Sequence, residues 1–236
     1  MKEIKLDILA FGAHPDDVEL GCGGTIAKEI SKGKKVGIID LTRGELGTRG
    51  SGELRLVEAA NSAKIQGIEI RENLGMADGF FQNDKAHQIE IAKIIRKYQP
   101  DVVLSNAVQD RHPDHGRGAE ITIDACFLAG LEKIVTGQQI WRPRSIYHYI
   151  QFNYLTPDIV VDISAEMEVK LKAVKAYSTQ FFNPESNENE TIISSQGFLE
   201  SISYRAQDLG RQSNCEYAEG FLAHQLPKVN TLFDFK

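Results

Sequence analysis

Leu6-Asp7-Ile8-Leu9-Ala10-Phe11, closed by Gly12, is short and mostly apolar, and it reads as a buried strand. Val36 to Leu41, rich in Ile and Val, reads the same way. Between them, Thr25 to Ser31 reads as a helix closed by Gly33. Outward from this unit the pattern repeats. Glu53 to Gln66 is helix-like, with Leu54, Val57, Ala60 and Ile65 near one face and Gly67 as its stop. Ile68 to Asn73 is a weaker strand, and His87 to Tyr98 is a helix whose end Pro100 marks. Asp101 to Ser105 follows as a fourth strand and Ala119 to Leu131 as a fourth helix. Ile146 to Ile150 and Ile159 to Ile163 read as later strands, and Ala165 to Phe181 and Gly197 to Gly210 as helices. The polar stretch Asn183 to Glu190 reads as a surface loop. Strands alternating with helices predict an α/β fold. The expected form is a Rossmann-like, mainly parallel β-sheet flanked by helices, with additional C-terminal strands and helices, all within one domain spanning 1–236.

Sheets of this kind place their sites beyond the carboxyl ends of the strands. Four segments follow the proposed strands: Gly12 to Gly24, Thr42 to Gly52, Leu74 to Asp84, and Asn106 to Gly116. All four are expected on one edge, with the unusual chemistry concentrated in the first and last. The first contains Ala13-His14-Pro15-Asp16-Asp17-Val18-Glu19 and the last Asp110-Arg111-His112-Pro113-Asp114-His115. These two loops hold half of the chain's six histidines. His14 with Asp17, and His112 with His115, are three residues apart, so in a helical turn each pair shares a face. Proline restrains each preceding histidine to an extended backbone. A single His-Pro-Asp is usually a turn in which aspartate caps a helix; two of them at neighbouring strand ends point to a divalent metal. Four ligands would close a structural site, and three plus water would make a catalytic one. Asp16, beside Asp17, favours the second: while one carboxylate ligates, the other can face the water.

Composition narrows the field. The chain is 236 residues long, 42% hydrophobic and 25% charged, enough for a sizeable core without staples. A net charge of −6 argues against general nucleic-acid affinity. Three cysteines without a C-x-x-C pair, and a start that carries Lys2, Glu3, Lys5 and Asp7, suit a cytoplasmic protein rather than a secreted one. No window is long and apolar enough for a membrane span. Leu20-Gly21-Cys22-Gly23-Gly24-Thr25 lacks nucleotide-binding spacing and reads as close backbone packing.

The whole chain resembles the PIG-L/LmbE-like zinc N-acetylglucosamine deacetylases, most closely their bacillithiol-biosynthesis branch. The two histidine motifs carry the likeness, joined by Leu41-Thr42-Arg43-Gly44-Glu45, Glu53-Leu54-Arg55, Ala176-Tyr177-Ser178-Thr179-Gln180-Phe181 and Tyr217-Ala218-Glu219-Gly220-Phe221. The resemblance implies one Zn2+ per chain on His14, Asp17 and His115, with Asp16 as general base. It implies that His112 stabilises the oxyanion, or serves as the acid, and that Asp114 orients the His112 ring. In the branch the sugar carries a malate aglycone, which an arginine fork at Arg55 and Arg111 would suit; either arginine could instead pair with a neighbouring acid. The Gly44 to Gly52 stretch is either a lid or a surface loop.

The implied reaction is hydrolysis of N-acetylglucosaminyl malate to glucosaminyl malate and acetate. Relatives of this branch are homo-oligomers, often hexamers. The rivals are a deacetylase of another sugar, such as chitobiose or a glycoconjugate, and a non-catalytic metal-stabilised sugar binder.

Overall fold

A computed structural model describes residues 4–234. Chain order runs β1 (Ile8–Gly12), α1 (Asp17–Ser31), β2 (Val36–Thr42), α2 (Gly52–Gln66), β3 (Ile70–Met76), α3 (Lys85–Tyr98), β4 (Val102–Ser105) and α4 (Pro113–Ala129). Then come β5 (Ser145–Tyr149), β6 (Ile159–Asp162), α5 (Met167–Lys175), α6 (Gln196–Gln212) and β7 (Ala218–Ala223). The seven strands form one sheet in the order β3-β2-β1-β4-β5-β7-β6. Its first five strands pair in parallel, while β7 runs antiparallel to both β5 and β6. The expected α/β fold with a mainly parallel sheet is therefore present.

Burial follows the two-residue period of the strands. Leu9 and Phe11 of β1, with Ile39 and Leu41 of β2, face Ile91 and Ile95 of α3 and Ile121 of α4. Ile8, Ala10 and Ile38 face the other way, onto Val18, Cys22 and Ile26 of α1 and Ala63 of α2. With both faces covered, β1 and β2 are buried along their whole length, which is why they read as continuous apolar runs. A third cluster joins Leu20 to Ile163, Met167, Val174, Tyr177, Phe181 and Ile202, and so ties the C-terminal helices to α1.

Several boundaries differ from the sequence expectation, each for a physical reason. Helix α1 starts at Asp17, not Thr25, because the glycine-rich stretch is itself helical, with a kink at Cys22. Its glycines are contact points: a Cβ on Gly21 would lie 2.1 Å from the Tyr149 ring, and one on Gly24 would lie 2.7 Å from Ile163. Helix α4 starts six residues before the expected Ala119, at Pro113, with His112 as its N-cap. Helix α5 ends at Lys175, so Tyr177 and Phe181 enter the third cluster from turns. Strand β7 was not expected at all. Its run Ala-Glu-Gly-Phe-Leu-Ala is interrupted by Glu219, whose partner Lys170 lies far away in sequence.

Candidate active site

Strand order reverses between β1 and β4, because β2 and β3 lie to one side and β5 to the other. The carboxyl ends of this adjacent pair are the switch point where α/β sheets place ligands. The loop after β1 carries His14 to Asp17, and the loop after β4 leads to His112 and His115. Both motifs thus arrive at one place from positions about a hundred residues apart.

The geometry there is tight. His115 Nε2 lies 3.0 Å from Asp17 Oδ1, and His14 Nδ1 lies 3.6 Å from Asp17 Oδ2. Nitrogens of His14, His112 and His115 lie within 4.8 Å of one another. The His112 ring stands edge-on to His14 at 4.6 Å and stacks on His115 at 5.4 Å. Asp17 is held by its neighbours: Oδ2 accepts from the His14 and Asn106 amides, and Oδ1 accepts from Gln151 Nε2 at 2.7 Å. His115 Nδ1 lies 2.8 Å from Asp110 Oδ2, a carboxylate that fixes the ring's orientation as such partners do for metal-binding histidines.

Charge accounts for the unusual proton affinities of these groups. Burial alone would lower the His14 pKa, but hydrogen bonds to Asp114, Asp17 and Asp78 outweigh it and hold it well above the ordinary value. Burial likewise opposes protonation of His115, yet Asp17 and Asp110 raise its pKa to about 9. Burial would raise Asp17, but His115 and His14 keep it well below the carboxylate range. Carboxylates therefore stabilise positive charge at the point where the imidazole nitrogens meet. A divalent ion supplies such charge, and two imidazoles plus one carboxylate form a donor set suited to it. The residues fit the group that the sequence reading expects.

Asp16 stands apart from this cluster. It is buried, and burial, against the pull of Arg55 and with repulsion from Asp17, raises its pKa to about 7. Its backbone has φ 121°, a region that non-glycine residues rarely adopt. Such strain persists only where the surroundings enforce it, and it is concentrated at functional positions. Here it sits at the junction between strand and helix, and both adjacent aspartates border the cavity.

The remaining expected residues divide. His112 borders the cavity, and its Nδ1 accepts from the Asp114 backbone amide at 3.3 Å. Burial and the neighbouring imidazoles lower its pKa. Asp114 meets His112 through that amide, not through its carboxylate. The carboxylate instead accepts from Gly79 N and Arg117 and lies 3.4 Å from His14 Nε2. Arg55 pairs with a neighbouring acid, the alternative that its sequence context allowed: Nη1 donates to the Pro15 carbonyl at 3.0 Å and to Asp16 Oδ2 at 3.2 Å. Both bonds come from Nη1, while Nε is buried without a partner among the described residues and Arg55 also borders the cavity. Arg111 is exposed over the Phe152 ring at 5.1 Å and borders the cavity as expected.

Asp78 was missed. Its Oδ1 lies 2.9 Å from His14 Nε2, and with Asp114 it forms a second grouping around that histidine. It follows β3 on the predicted edge, but no neighbouring motif marks it. Asp110 and Gln151 were missed as well, although Asp110 stands inside a quoted motif. The cavity itself is about 750 Å³ and is also lined by Gly44, Leu46 and Gly47 from the glycine-rich loop and by Ile192, Phe198 and Arg205.

Comparison with known proteins adds an independent line. A family model described as GlcNAc-PI de-N-acetylase, PIG-L, matches residues 9–126. The chain is 34% identical to the diacetylchitobiose deacetylase of Thermococcus kodakarensis, over 90% of this chain and 81% of that protein. It is 30% identical to a probable N-acetyl-α-D-glucosaminyl L-malate deacetylase of Bacillus subtilis, over 75% of this chain and 84% of that one. A solved structure of a conserved protein from Thermus thermophilus superposes with a TM-score of 0.87 at 33% identity, covering 97% of this chain and 98% of that one.

Proposed function

The chain belongs to the PIG-L family and is an amide hydrolase of the deacetylase type, and from that premise we propose that it releases acetate from N-acetylglucosaminyl malate. The observation that carries the reading is the meeting of the two histidine loops at the switch point, with buried Asp16 beside them. Likeness along both halves of the chain supports treating residues 1–236 as one deacetylase domain.

In this proposal His14, Asp17 and His115 hold one divalent ion, zinc, and Asp110 and Gln151 keep two of these ligands in place. When bound, such an ion would supply Lewis acidity to the acetyl carbonyl and would lower the pKa of a water to about 7. Asp16, one oxygen fixed by Arg55, takes a proton from the attacking water at its carboxylate. His112 donates from Nε2 to the acetyl oxygen as negative charge develops there, the kind of preorganised contact that lowers barriers most. When the C–N bond breaks, Asp16 returns the proton to the departing nitrogen, so that the products are acetate and the free amine.

A second reading is a chitobiose deacetylase, favoured by the 34% identity to the Thermococcus protein. Acetate release from N-acetylglucosaminyl malate and from diacetylchitobiose is the test, run after chelation and again after zinc is restored. Zinc-dependent release with kcat/KM favouring the malate conjugate supports the proposal. A preference for diacetylchitobiose transfers it to the second reading. Metal-loaded protein inert toward both would leave only a sugar-binding role.

A further inference from the structure

Three arginines line the cavity, Arg55, Arg111 and Arg205, and only Arg55 has an acidic partner among the described residues; cations further out are paired too. Arg55 is paired with Asp16, Arg49 with Glu188, Arg117 with Asp114 and Lys170 with Glu219. Arg205 is different. It lines the cavity and is partly buried, yet among the described residues no carboxylate pairs with it. Its single hydrogen bond there is a long one, from Nη2 to the Leu20 carbonyl at 3.4 Å. The acids that act on it electrostatically are engaged elsewhere. Glu219 accepts from Lys170 and the Gly24 and Thr25 amides, and Asp110 accepts from the amides of Arg111, Phe152 and Asn153 while facing His115.

Arg205 sits seven residues after Phe198 on α6, about two helical turns, so both project from one face toward the cavity. Phe198 stacks on Phe152 at 6.0 Å, and Arg111 lies over the other partner of that stack. An aromatic pair therefore stands between two arginines that have no acidic partner among the described residues, Arg111 exposed and Arg205 partly buried. A guanidinium kept partly buried without a counter-ion is costly unless an anion arrives to meet it. Its planar fork matches a carboxylate.

The geometry points to Arg205 as a specificity-determining residue that binds a carboxylate on the substrate's aglycone. The inference rests on the deacetylase reading for its substrate, and it moves aglycone recognition from Arg55 to α6. Arg55 already meets a carboxylate, Asp16, whereas Arg205 meets none among the described residues.

The test compares wild type, Arg205→Gln and Arg205→Lys, each loaded with zinc. N-acetylglucosaminyl malate is the anionic substrate, diacetylchitobiose the neutral one, and binding of glucosaminyl malate is followed by calorimetry. Arg205→Gln is expected to raise KM for the malate conjugate and weaken glucosaminyl malate binding by about tenfold to a hundredfold, the loss expected for one charge-assisted contact. Turnover of diacetylchitobiose should change less than about twofold, and Arg205→Lys should recover part of the lost affinity. Equal losses on both substrates, or undiminished glucosaminyl malate binding, would overturn the inference. Calorimetry reads Arg205 without turnover, so an enzyme inert toward both substrates would sink the deacetylase reading while this one is judged by binding alone.

Discussion

Beyond β1 and β4, Asp17, Asp78 and Asp114 crowd around His14, Asp17 also meets His115, and the carboxylates share these imidazoles as partners. Beneath β7 the plan is different. Lys170 and Glu219, both nearly inaccessible, neutralise each other, and the remaining glutamate bonds come from the backbone amides of Gly24 and Thr25. The first region gathers acid that invites a cation, and it stores strain at Asp16. The second is electrically complete and strengthens the junction between α1, α5 and β7. Chemistry and stability are thus assigned to different places in one sheet, and substitutions should separate them.

The largest effect is expected at the metal. His115→Ala should abolish stoichiometric zinc binding, measured by elemental analysis, and take turnover to background while the circular dichroism spectrum is kept. Full zinc occupancy in that variant would remove His115 from the ligand set. Asp16→Ala should keep zinc but lose about 10²–10⁴-fold in kcat, the range for a missing general base. Substantial residual turnover would show that another group moves the proton.

On the other side, Lys170→Met strands Glu219 in the interior and should cost about 3–5 kcal/mol in denaturant unfolding. Molecules that remain folded should retain zinc and kcat; a selective collapse of kcat at unchanged stability would erase the division between the two regions. Arg55→Gln is expected to be milder. It should lower kcat by about tenfold, the loss of one charge-assisted contact to the base, and do so alike for malate-bearing and neutral substrates. A loss confined to the malate conjugate would return Arg55 to aglycone recognition.

Much of this division could be read in the chain before folding. β1, β2 and both histidine loops are local features, and their chemistry lies within a few residues of sequence. The start of α1 was hidden because Gly21, Gly23 and Gly24 weaken a helix by themselves. Gly21 and Gly24 belong there because Tyr149 and Ile163 press against the backbone. Strand β7 was hidden because Glu219 breaks its apolar pattern until Lys170 is known to stand opposite. Asp78, Gln151 and Arg205 were hidden for a related reason: each acquires meaning from what it touches or fails to touch across the fold. For Arg55 the sequence left two partners open, an aglycone or a neighbouring acid, and the fold brings it to Asp16.

Anomalous diffraction from crystals grown with zinc tests the central claim most directly. The account predicts one strong peak within bonding distance of His14, Asp17 and His115, with Asp16 outside the coordination shell and facing its open side. A peak held instead by His14, Asp78 and Asp114, or none among these loops, would contradict it.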